Sequence, residues 1–141
     1  SKYFLMTGHK LKIRVYYEDT DAAGIVYHAS YLRYAERGRT EMLREAGFEH
    51  AKIFKETGIG FAVVAMNINY NAPAKLDDLL DIKSKITRVG GASMEMQQDV
   101  YSEERLITEM KVTLVCIDAK LKAVRLPAEI REIFEQKTEG E

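Results

Sequence analysis

The chain has 141 residues, a formal net charge of −1 and 30% charged side chains. That length suffices for one domain, 1–141, with a proper core over about 11–127. Near-neutrality removes the electrostatic case for nucleic acid or an anionic membrane as partner. A lone cysteine, Cys116, excludes an intramolecular disulfide, and three histidines (His9, His28, His50) with no second cysteine argue against a structural zinc site. Cys116 sits in the apolar run "VTLVCI" and reads as a buried, inert thiol. No apolar stretch approaches ~18 residues and no signal-peptide core is visible, so a cytoplasmic location without membrane insertion is expected.

In chain order, "LKIRVYY" from Leu11 alternates, with Leu11, Ile13, Val15 and Tyr17 on one side, which predicts a half-buried strand. Three acids (Glu18, Asp19, Asp21) and Ala22-Ala23-Gly24 end it, and Gly24 can take the positive φ of a sharp turn. From about Ala29 to Ala46 the period becomes helical. Arg33, Glu36, Arg37, Thr40, Glu41 and Arg44 form the polar face; Tyr31, Ala35, Gly38, Met42 and Ala46, flanked by Leu32, Tyr34 and Leu43, form the apolar one. Gly38 costs roughly 1 kcal/mol in a helix, which a close approach to a sheet could offset. Gly47-Phe48 reads as a left-handed helix stop.

A shorter helix, about Glu49 to Glu56, precedes four strands: "FAVVAMNINYNA" (61–72), "LLDIKSKITRV" (79–89), "SMEMQQDVY" (93–101) and "LITEMKVTLVCI" (106–117), with Gly90-Gly91 as a tight hairpin. Pro127 opens a terminal helix with Ile130, Ile133 and Phe134 as its stripe. One long helix among five largely antiparallel strands is an α+β arrangement, because only that helix is large enough to cover the apolar face of the sheet.

Serine-elbow, Walker A, dinucleotide and His-Glu-x-x-His motifs are all missing. Three readings of Glu18, Asp19 and Asp21 stay open: a solvated turn, a metal site short of ligands, or a catalytic carboxylate. In the catalytic reading Asp21, at the sharpest point of the turn, faces the free N–H groups of a helix beginning near His28–Ser30, which could stabilise an oxyanion on a carbonyl. His28 could serve as a side-chain base, as a backbone donor, or merely as a packing residue at the helix start.

The stretch "YYEDTDAAGIVYHASYLRYAERGRTEMLR" resembles the Asp-x-Asp-x-x-Gly-Ile/Val-Val-aromatic signature of hotdog-fold acyl-CoA thioesterases of the 4-hydroxybenzoyl-CoA thioesterase type, and most closely their YbgC-like, Tol-Pal-associated branch. The similarity continues through "NINYNAPAKLDDLL" to "CIDAKLKAVRLP". It implies a curved five-stranded antiparallel sheet wrapped around the long helix, and a homo-oligomer, dimer or homotetramer, with sheets joined edge to edge. It further implies hydrolysis of an acyl-CoA thioester with no cofactor, coenzyme A being part of the substrate. The catalytic carboxylate corresponds to Asp21, with Asp19 structural, and the carbonyl-polarising N–H falls at His28, whose imidazole could also help. Gly24 and Tyr27, within the signature, are substrate-binding candidates. Arg88 and Arg125, with Lys120 and Lys122, flank strand ends where coenzyme A phosphates could be met. A relative preferring aromatic acyl groups has proline where this chain has Ala22, so the acyl group is not inherited. The rival reading is a non-hydrolytic module binding acyl-CoA or acyl carrier protein.

Overall fold

The computed structural model describes residues 8–128 together with 131 and 132. Five strands, β1 (His9–Arg14), β2 (Gly60–Tyr70), β3 (Leu79–Val89), β4 (Ser93–Ser102) and β5 (Arg105–Ile117), form one antiparallel sheet in the order β1-β3-β4-β5-β2. Helix α1 (Ser30–Glu45) packs on one face, against β3, β1 and β4, and α2 (His50–Thr57) sits beside β2. The fold is α+β, as the element order implied.

Alternation decides which face meets α1. Leu80, Ile82, Ser84 and Ile86 of β3, and Met94, Met96, Gln98 and Val100 of β4, are all buried, with their neighbours partly or fully exposed. Between these strands and α1 the backbones come close. A Cβ built on Gly38 would lie 2.8 Å from Ile82 Cγ2, 3.0 Å from Ser84 Oγ and 3.3 Å from Gln98 Nε2. The glycine therefore has a packing reason. The buried polar atoms there are satisfied, since Gln98 Nε2 donates to the Ala35 carbonyl and to Ser84 Oγ, both at 2.8 Å.

Helix α1 stops as its terminal glycine dictates. Gly47 has φ +98, its N–H donates to the Arg44 carbonyl, and the Phe48 N–H reaches back to Leu43 at 2.8 Å.

Two expectations need correction, and β5 departs from simple alternation. Tyr17 does not continue the inward face of β1: it is 82% exposed, because the strand ends at Arg14 and the chain coils into a 3-10 turn, Tyr17–Asp19. Leu32 lies 40% exposed, off the apolar stripe of α1. In β5 a bulge between the Val100–Thr108 and Tyr101–Leu106 pairs turns Ile107 fully inward, beside Thr108, while Leu106 is only half-buried. Cys116 is buried, which pushes its thiol pKa up. The Arg131 N–H bonds the Pro127 carbonyl at 3.0 Å, but the stripe Ile130, Ile133 and Phe134 lies outside the described residues.

Candidate active site

The acidic stretch folds into a narrow hairpin. The Asp21 N–H bonds the Ile25 carbonyl at 2.9 Å, Gly24 N–H returns to the Asp21 carbonyl at 3.0 Å, and Gly24 takes φ +80. Asp19 anchors this hairpin to α1. Its side chain is buried; one carboxylate oxygen accepts the Tyr16 N–H at 2.9 Å and the other faces the Arg33 guanidinium at 3.5 Å. Its carbonyl accepts the Tyr27 N–H at 2.8 Å and the Ser30 hydroxyl at 3.2 Å. Burial, and then the Asp19 carboxylate, push the neighbouring Tyr34 phenol well above the usual range for tyrosine. Every one of these contacts is structural, so Asp19 has no free oxygen aimed at a ligand.

Asp21 is different. It is exposed, and one oxygen accepts the Ala23 N–H at 2.8 Å; among the described residues the other has no partner. Its side chain forms one wall of a cleft of about 440 Å³, shared with Ile25, Val26, His28, Tyr31 and the segment Tyr70–Pro73. The Tyr27 carbonyl is held by the Ser30 N–H at 2.8 Å as α1 begins. A trans peptide sets the His28 N–H opposite that carbonyl, pointing away from the helix. Among the described residues no acceptor meets this N–H, and it lies at the positive end of the α1 dipole. A carboxylate and the residue that bears an unengaged helix-start amide thus border one opening. That combination suits attack on a carbonyl: a base or nucleophile on one side, an oxyanion donor on the other.

Of the residues singled out in the sequence, Asp21 and His28 both line the cleft. Tyr27 lies beside it, half-exposed, with its ring centroid 4.5 Å from that of His28. Gly24 is exposed in the hairpin turn, with open space where a side chain would stand. Arg88 and Arg125 are not brought to the cleft within one chain. Arg88 precedes Val89, which pairs with Met94, Met94 with Leu114, and Leu114 with Val63, whereas the cleft is at Tyr70. The separation is about 20 Å along the sheet at roughly 3.3 Å per residue. Arg125 stands at the same far end, beside Gly91, and Lys120 and Lys122 belong to the turn that Asp118 closes there. Charge at a strand end carries no information about which end holds the site.

Sequence reasoning missed the wall formed by Tyr70, Asn71, Ala72 and Pro73. The Asn71 and Ala72 N–H groups both bond the Ile107 carbonyl, so the bulge of β5 shapes this wall. The available signal was a strand running into a proline, Pro73, through Tyr70, Asn71 and Ala72.

Comparison with known proteins shows the family. A sequence model described as "Thioesterase-like superfamily" matches residues 15–134. The chain is 46% identical over 126 residues to "Acyl-CoA thioester hydrolase YbgC" of Shigella flexneri, covering 88% of this chain and 93% of that one. It is 39% identical over 131 residues to "Acyl-CoA thioesterase YbgC" of Haemophilus influenzae, covering 92% and 96%. Among solved structures, a probable thioesterase from Bartonella henselae superposes with a TM-score of 0.82 at 40% identity, over 85% of this chain and 99% of that one.

Proposed function

This chain belongs to the thioesterase-like superfamily, and from that premise we propose that it hydrolyses acyl-CoA thioesters to the free acid and coenzyme A, with Asp21 and the His28 amide as its reacting groups. What carries the reading is the pairing of the half-free Asp21 carboxylate with the unengaged His28 N–H on one cleft. The substrate class follows from the names of the relatives, both of which act on acyl-CoA.

Two routes fit. In one, Asp21 draws a proton from water as the water oxygen adds to the thioester carbon. In the other, an Asp21 oxygen adds directly, giving a mixed anhydride that water then cleaves. In both, negative charge gathers on the carbonyl oxygen, where the His28 N–H donates to it; one such donor is worth about 10²–10³ in rate. Collapse re-forms the carbonyl and breaks the C–S bond, and the departing thiolate takes up a proton. The His28 imidazole, at the cleft, can orient water. No step calls for a cofactor.

A homo-oligomer belongs to the same reading. Of the two sheet edges, β1 is short and carries Lys10, Lys12 and Arg14. The β2 edge is longer and exposes Val63, Val64 and Tyr70. An apolar edge with unpaired backbone groups invites a second strand. Two β2 strands joined antiparallel would bring the far end of one sheet, with Arg88 and Arg125, toward the cleft of the other copy, where phosphates of coenzyme A or of an acyl carrier protein could be met. The expected site of action is the cytoplasm; among the described residues no helix is long and apolar enough to cross a membrane.

Asp21→Asn tests the reading. With free-thiol detection across an acyl-CoA series, turnover should fall about 10²–10⁴-fold with circular dichroism unchanged. Near-normal turnover would remove Asp21 from the chemistry. Wild-type protein that binds acyl-CoA but never releases thiol would mark a binding module instead. In single-turnover hydrolysis in ¹⁸O-water, label in Asp21 marks the anhydride route with water attacking the Asp21 carbon. Water attack on the acyl carbon by either route labels only the released acid.

A further inference from the structure

The last residue of β2 reaches across to the start of α1. The Tyr70 hydroxyl donates to the His28 carbonyl at 3.1 Å, and its ring meets His28 edge-on at 6.3 Å and Tyr31 at 5.9 Å. Tyr31 is itself held: it is buried, and its hydroxyl accepts the Ala74 N–H at 3.3 Å. The Tyr70 ring therefore stands between a fixed aromatic and the helix start while also lining the cleft with Asp21.

We propose that Tyr70 is a positioning residue for thioester hydrolysis, acting through its hydroxyl bond to the His28 carbonyl to hold the orientation of His28 toward the cleft. The role rests on the reading of His28 as the group that meets the carbonyl oxygen. The backbone leading into α1 is pinned in sequence: Asp19 accepts from Tyr27 and Ser30, and Tyr27 accepts from Ser30. At His28 the carbonyl is engaged by a side chain instead, that of Tyr70. The His28 N–H belongs to the preceding peptide, which shares the His28 Cα with the peptide joining His28 to Ala29. Without the Tyr70 bond that second peptide is free to tilt, and the shared Cα, with the N–H and ring attached to it, is no longer held from both sides. An oxyanion donor matters most where the charge has formed, in the transition state, so the loss should fall on kcat and spare substrate binding.

Tyr70→Phe keeps the ring and the cleft wall and removes only the hydroxyl. With butyryl-CoA and longer acyl-CoAs, kcat should fall about 3- to 10-fold, the scale of one hydrogen bond. KM should stay within about twofold, and the backbone amide resonances of His28 and Ala29 should shift in ¹H–¹⁵N spectra while the unfolding midpoint stays close to wild type. An active wild type with unchanged Tyr70→Phe turnover overturns this role alone. A raised KM at unchanged kcat does so too, because Tyr70 would then be a binding wall. A wild-type protein that hydrolyses no acyl-CoA overturns the thioesterase reading itself, and this role with it.

Discussion

Replacing Gly38 by alanine sets two measurable effects against each other. Alanine is the better helix former by about 1 kcal/mol, so on an open helix face the change would stabilise. At this position the new methyl would stand 2.8 Å from Ile82 Cγ2 and 3.0 Å from Ser84 Oγ, inside the contact on which α1 rests. Neither neighbour yields easily, because Ile82 is fully buried and Ser84 accepts from Gln98. Overpacking of this kind costs about 1–3 kcal/mol, and the net expectation is a loss of up to about 2 kcal/mol in place of the gain of about 1 kcal/mol expected on an open face. The assay is urea unfolding followed by circular dichroism at one fixed protein concentration, since any assembly adds to apparent stability. Gly47→Ala is the control: it sits at φ +98 with nothing within 4 Å of a new Cβ, so any cost there is backbone strain alone. Ile82→Ala supplies the second half of a cycle, and the double variant with Gly38→Ala should lose less than the sum by at least ~0.5 kcal/mol. A Gly38→Ala protein about 1 kcal/mol more stable than wild type, or additivity with Ile82→Ala, would refute the close-contact account.

Two other outcomes follow from the same structure. Tyr31 and Tyr34 have phenols raised first by burial, and in Tyr34 next by the Asp19 carboxylate. Above about pH 10 the unfolded chain gives up phenolic protons that the folded chain keeps, so stability should decline as pH rises from there. Absorbance at 295 nm against unfolding by circular dichroism checks this, and full titration of all eight tyrosines near pH 10 with the fold intact would contradict it. Val64, at the β2 bulge and 58% exposed, is the place to test assembly. Val64→Lys should reduce the mass seen by light scattering to that of one chain, and an unchanged oligomer would place the interface elsewhere.

Much of the fold was legible because it rests on local periodicity. The helical stripe through Tyr31, Ala35, Gly38 and Met42, and the two-residue alternation through Leu80 to Ile86 and Met94 to Val100, each predicted a buried face that exists. Reading failed where one residue broke the period. The capped turn at Asp19 threw Tyr17 outward, and the bulge at Ile107 brought two successive side chains inward. Neither departure has a glycine or proline to announce it.

By itself, then, the order of residues determined the element types, the antiparallel sheet class and the Asp19–Tyr27 segment in which a carboxylate precedes a helix start. Tertiary structure decided what stands opposite that carboxylate. Tyr70 reaches the His28 carbonyl across 42 positions of chain, and Arg88 and Arg125 fall at the other end of the sheet. Side-chain periodicity is set by bonds between near neighbours, whereas a cleft is set by strand order and register. Those depend on pairings such as Tyr70 with Thr108, which only the folded sheet brings together.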